Sequence, residues 1–79
     1  MNEIIETLRK CLLSVRGNID DEKASSEANF FDDLGLDDSG VRIFIGKVEN
    51  TYNVFIPTKY SDEFATMRDV AKYLHKNHF

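Results

Sequence analysis

Ser39 lies in the stretch DDLGLDDSG, Asp32 to Gly40, directly after Asp37 and Asp38 and directly before the apolar segment VRIFIGKVENTY. A serine placed between acidic pairs and an apolar segment can be a site of chemistry. The same serine can equally be no more than the polar edge of the helix. The acidic pairs Asp32-Asp33 and Asp37-Asp38 raise a second chemistry, the binding of a hard cation. An EF-hand loop needs a carboxylate five residues before its glycine. Counting back from Gly40 reaches Gly35, and from Gly35 reaches Phe30, so neither register qualifies. Weak cation binding by the cluster stays open. His75 and His78 stand at i, i+3 without a cysteine or third histidine nearby, and read as exposed ends of a helix. No Ser-His-Asp or Cys-His constellation follows from the spacing and no glycine-rich phosphate loop is present. No catalytic site is expected and no metal site is assigned.

The elements that must position Ser39 are helical. Ile4, Leu8, Cys11, Leu12 and Val15 recur at helical spacing and predict a helix over 3–16, ended by Gly17 and Asn18. Cys11 falls on that apolar stripe and reads as a small core residue. Residues 17–36 have no sustained period and read as a long connection, with Ile19, Phe30, Phe31 and Leu34 pinning it to the core and a short turn near residues 22–24. Val41, Phe44, Ile45, Val48 and Tyr52 predict a second helix over 38–52, ended by Asn53. Val54 to Pro57 is an extended connector, and Pro57 opens a short helical turn over 58–63. Thr66 as N-cap and Asp69 as the N3 acid start a last helix over 67–76, whose buried face is Met67, Val70, Ala71 and Leu74. The expected core is Leu8, Leu12, Phe30, Leu34, Phe44, Val48, Tyr52, Ile56, Val70 and Leu74. The fold class is therefore all-α, a small bundle of three main helices plus a short one.

A length of 79 residues argues for a single domain over 1–79 with a thin core. The net charge of −4 is unevenly spread. Residues 20–38 hold eight acids against Lys23 alone, while the rest holds six acids against nine bases. Such a stretch steers basic partners and disfavours nucleic acid. One cysteine cannot form an internal disulfide and fits a reducing compartment. The N-terminus has acids early and no long apolar core, and no apolar run approaches the ~20 residues of a membrane span. A cytoplasmic, monomeric chain without membrane insertion is expected.

DDLGLDD, VRIFIGKVENTY, NVFIP and ATMRDVAKYL together resemble the acyl carrier protein family. Carrier proteins read D-L-G-x-D-S-L at the start of the second helix, then an aromatic residue and an I-P, then T-[VM]-x-x-x-x-x-[YF]-[IL] in the last helix. Asp33-Leu34-Gly35-Leu36-Asp37 matches the opening, Tyr52 the aromatic, Ile56-Pro57 the I-P, and Thr66-Met67 with Tyr73-Leu74 the ending. No gap is needed from Phe30 to Leu74. The resemblance implies a carrier without catalysis of its own. Its serine would bear a 4′-phosphopantetheine arm, attached by a phosphopantetheinyl transferase. It would hold acyl or related thioester intermediates for acyl-transferring or synthase enzymes, whose basic patches dock on an acidic second helix. Lipid, polyketide and peptide cargo are equally open.

The chain departs from the family at the decisive place. In ungapped register the serine position is Asp38, and Ser39 stands where the leucine would be, followed by Gly40. If Asp37 is the N-cap, Asp38 is the first helical residue and Ser39 the second. If the helix starts one residue later, Asp38 caps it and Ser39 becomes the first, restoring an Asp-Ser pair. Ser39 at the first position with an open hydroxyl favours the carrier, with Asp37 and Asp38 as its frame. Asp38 at the first position with Ser39 turned toward the loop favours a carrier-like interaction module without prosthetic group. The exposed face of the second helix also lacks the family's run of acids, offering Arg42, Ile43, Gly46, Lys47, Glu49 and Asn50. Ile43, Gly46 and Lys47 are candidates for a partner-docking patch.

Overall fold

A computed structural model describes residues 2–15, 17 and 25–77. Four helices follow in order: α1 (Asn2–Val15), α2 (Asp38–Tyr52), α3 (Thr58–Ser61) and α4 (Met67–Asn77). There is no named strand among the described residues, only an isolated bridge between Asn29 and Thr66. The all-helical bundle expected from the periodicity is the one observed. Arg16, Asn18, Ile19, the turn near residues 22–24 and His78 fall outside the described residues.

Each of the three long helices buries the face its spacing marks. Ile4, Leu8, Cys11 and Leu12 line the inner side of α1, and α1 packs against both α2 and α4. Val41, Phe44, Ile45 and Val48 are buried on α2, and Met67, Val70, Ala71 and Leu74 on α4. Phe44 is fully buried and meets Phe30 with ring centroids 5.3 Å apart. Burial of a phenylalanine ring stabilises by about 1.5–3 kcal/mol, so this pair anchors the connection to α2. The start of α4 is a reciprocal cap. Asp69 N–H donates to Thr66 Oγ1 at 3.2 Å, and Thr66 N–H donates back to Asp69 Oδ2 at 3.1 Å.

The connection before α2 is more ordered than its lack of period suggests. Asn29 Oδ1 accepts the N–H groups of Phe31 and Asp32 at 2.8 and 3.0 Å, while Asp33 Oδ2 accepts Asn29 N–H at 2.8 Å. Short Asx side chains build turns from local bonds, which leave no trace in hydrophobic periodicity. The bridge to α4 is completed by Phe30 N–H donating to Ala65 C=O at 2.8 Å and Arg68 N–H to Ser26 C=O at 2.9 Å. Gly35, at φ 70°, takes the left-handed turn that a side chain would disfavour.

Two core assignments are corrected. Phe31 is 43% exposed, because the Asn29 turn sends Phe30 inward and its neighbour faces out. Tyr52 is only partly buried at the rim of the core. Ala28, Leu36 and Phe64 are buried although no period pointed to them, since each sits in a turn or connector.

Candidate functional site

The site is built by the end of one turn and the start of α2. Leu36 is buried and its N–H donates to Phe30 C=O at 2.8 Å. The chain then leaves the core in extended form at Asp37, whose φ of −102° and ψ of −178° suit an N-cap. Asp37 Oδ1 accepts Gly40 N–H at 2.7 Å, and Asp37 C=O accepts Val41 N–H at 3.0 Å. Asp37 is therefore the cap, Asp38 the first helical residue and Ser39 the second. The alternative register, with Asp38 as cap and Ser39 first, is not the one adopted. Gly40 has a role in the choice. A Cβ there would lie 3.3 Å from both Asp37 Oδ1 and Leu36 Cδ2, crowding the capping carboxylate against the core.

Ser39 is exposed, and its hydroxyl is engaged by no hydrogen bond among the described residues. The amides of Asp38 and Ser39 likewise donate to no described group, so two of the free N–H groups of the first turn remain next to it. At about 100° per residue, Ser39 shares its side of α2 with Ile43, Gly46 and Asn50. Ile43 is 54% exposed, Gly46 and Lys47 are half-buried, and Arg42 is exposed.

Asp38 points a different way. It lies at the edge of an open groove of about 390 Å³, lined also by Phe31, Arg42, Ile45, Phe55 and Phe64. Ser39 is not among the groove's lining residues. Glu49 shapes the far wall, its Oε2 accepting Ile56 N–H at 2.8 Å and tying the connector to α2. Beyond it Phe55 stands 73% exposed. The sequence reading missed the groove, because Phe31, Phe55 and Phe64 come from three separate connections. The alternation Val54-Phe55-Ile56 was the available signal that Phe55 faces away from the core.

The chain is 33% identical over 76 residues to an acyl carrier protein of Sinorhizobium fredii, a match spanning 96% of each chain. The acyl carrier protein AcpP of Rhizobium meliloti matches to the same extent. The chain belongs to the acyl carrier protein family. An acyl carrier protein of Bdellovibrio bacteriovorus is 34% identical over 58 residues, 73% of this chain and 74% of that one. No family model matches the chain.

The residues of this carrier-family chain fit a phosphopantetheine arm at one position and not at the other. An aspartate at the family's serine position offers a carboxylate. A phosphoryl group on a carboxylate is a mixed anhydride, open to hydrolysis, whereas on the Ser39 hydroxyl it is a stable phosphodiester. The electrostatics are close to balanced. A helix N-terminus favours an anion by about 0.3–1 kcal/mol. Two unit charges ~6 Å apart in water repel by about 0.7 kcal/mol, and Asp37 and Asp38 both flank Ser39. An arm on Ser39 would thus depend on the exposed hydroxyl more than on a prepared phosphate cradle. No helix among the described residues is long and apolar enough to cross a membrane, and no group of three or more potential metal ligands is found among them.

Proposed function

We propose that this chain is an atypical acyl carrier protein that takes a 4′-phosphopantetheine arm on Ser39 and presents thioester-bound cargo to partner enzymes. The observation that carries the reading is the exposed Ser39 hydroxyl in the first turn of a 15-residue helix, free of internal hydrogen bonds. A phosphopantetheinyl transferase would join the Ser39 oxygen to the phosphate of phosphopantetheine, with the hydroxyl proton lost and the nucleotide part of coenzyme A leaving. The arm, once attached, supplies the thiol on which cargo is held. The chain's own residues then orient and present. Asp37 holds the helix start, and Phe31, Ile45, Phe55 and Phe64 give apolar walls on which a short apolar cargo can rest. Ile43, Gly46 and Lys47 form the docking patch. The chain would act as one domain over 1–79, a cytoplasmic monomer that catalyses nothing itself, with no nucleic acid partner and no membrane insertion.

A second reading has its own observation. Asp38 occupies the first helical position, at the mouth of the groove, so a fixed charge stands at the family's attachment point. A carrier-like interaction module without arm would look the same there.

Intact mass separates them. Wild type, Ser39→Ala and Asp38→Ser are incubated with coenzyme A and a broad-specificity transferase. The expected result is one phosphopantetheine on wild type and none on Ser39→Ala. If wild type stays unmodified while Asp38→Ser gains an arm, the transferase is competent, the Ser39 assignment fails and the interaction module stands. The same mass measurement on protein from its native cell covers a dedicated transferase.

A further inference from the structure

We infer that the groove beside α2 selects cargo bearing a protonated amine on a short apolar body, an aminoacyl group rather than a plain alkanoyl chain. This rests on the proposed carrier function and narrows the cargo it takes.

The groove encloses about 390 Å³, near the lower end of the roughly 300–1,000 Å³ of small-molecule sites. One wall is a single stripe of α2, in which Asp38, Arg42, Ile45 and Glu49 recur at helical spacing. Phe31 enters from the turn before α2 and Phe55 from the connector after it, 43% and 73% exposed. Phe64 adds a third ring.

The charge of the groove is as marked as its aromatic content. Three carboxylates line it, Asp38, Glu49 and Asp62, against the one guanidinium of Arg42, an excess of two negative charges. Arg42 makes no ion pair with them among the described residues. Glu49 uses one oxygen to accept Ile56 N–H. The side chains of Asp38 and Asp62 have no partner among the described residues, so the fold makes no use of their charge.

Phenylalanine rings attract a cation and repel an anion through their quadrupole. Rings and carboxylates therefore agree on one ligand chemistry, a positive charge carried on an apolar group. A bare metal ion does not meet it, because no three potential metal ligands gather at one point among the described residues. A carboxylate-bearing cargo would face three like charges for one Arg42. A plain alkanoyl chain would strip water from the carboxylates and return nothing.

Three acyl groups of similar length separate these cases: hexanoyl, ω-aminohexanoyl and adipoyl. Each is offered as its coenzyme A thioester with a broad-specificity transferase, and intact mass reads loading on Ser39. ¹⁵N amide shifts are then compared with the chain bearing the unacylated arm. The ω-aminohexanoyl group is expected to move Ile45, Glu49, Phe55 and Phe64 most. In parallel, the same groups on free pantetheine are titrated into the unmodified chain. The amine form is expected to bind about 5- to 10-fold tighter than the hexanoyl form at low salt. Near 1 M salt, where the screening length is about 3 Å, that gap should shrink. R42Q should widen it and D38N/D62N should close it. Equal or tighter binding of hexanoyl, a preference for adipoyl, or no shift in the groove with any of the three overturns the inference. If no acyl group loads, the Ser39 attachment fails instead, and the titration of the unmodified chain still decides the groove.

Discussion

Gly40 and Gly46 are the same residue on the same helix, and they answer to different demands. At Gly40 a side chain would press on the carboxylate that caps α2 and on buried Leu36, each 3.3 Å from the missing Cβ. At Gly46 a side chain would enter open space. One glycine is explained by contacts inside the chain. The other costs helix stability and gains nothing inside the chain. Where the fold explains a residue, no function is needed to account for it. Where the fold is indifferent and the residue is locally unfavourable, nothing inside the chain accounts for it. The start of α2 is thus a structural device, and its middle is an outward-facing surface.

The contrast between the two faces of α2 can be broken by mutation. Phe44→Ala empties a fully buried position and is expected to cost about 3–5 kcal/mol, read from urea denaturation. Its neighbour Ile43→Ala should stay within about 0.5 kcal/mol of wild type. A large loss at Ile43 would mean that the outward face is part of the core after all. Next in size, Asp37→Ala removes the cap and should cost about 1 kcal/mol, while Asp38→Ala leaves the cap in place and costs less. Equal losses at the two aspartates would show that the helix start slides between them. The sharpest and smallest test is on the glycines. Gly46→Ala should raise stability by about 0.5–1 kcal/mol. Gly40→Ala should fall below Gly46→Ala in urea midpoint, because the cap must shift to make room. A destabilised Gly46→Ala would remove the argument that residue 46 serves a partner.

Much of the bundle was legible because amphipathic helices advertise themselves. The stripe Val41, Phe44, Ile45, Val48 and the cap Thr66 with Asp69 each rest on residues close in sequence, so their structural outcome follows from local physics. Phe31 and Tyr52 were less legible, since an aromatic side chain in a turn or at a helix end can face either way until the surrounding elements are placed. The candidate site was readable in its residue types and open in its register. Two adjacent aspartates are both good caps, and nothing in DDLGLDDSG alone chooses between them.

The sequence by itself determined the helices, their buried faces, the lack of a run of acids along the outer side of α2, and the presence of a lone hydroxyl beside two carboxylates. Tertiary structure decided which aspartate caps the helix. Phe30 packs on Phe44, its carbonyl holds Leu36, and the chain reaches the helix start with Asp37 as the first residue free to cap. It also decided that Asp38 faces a groove while Ser39 faces outward with Ile43 and Gly46. That groove joins Phe31, Phe55 and Phe64 from three connections. Side chains so far apart in sequence meet only after the helices have packed, so their meeting place is a property of the packing and not of any local pattern.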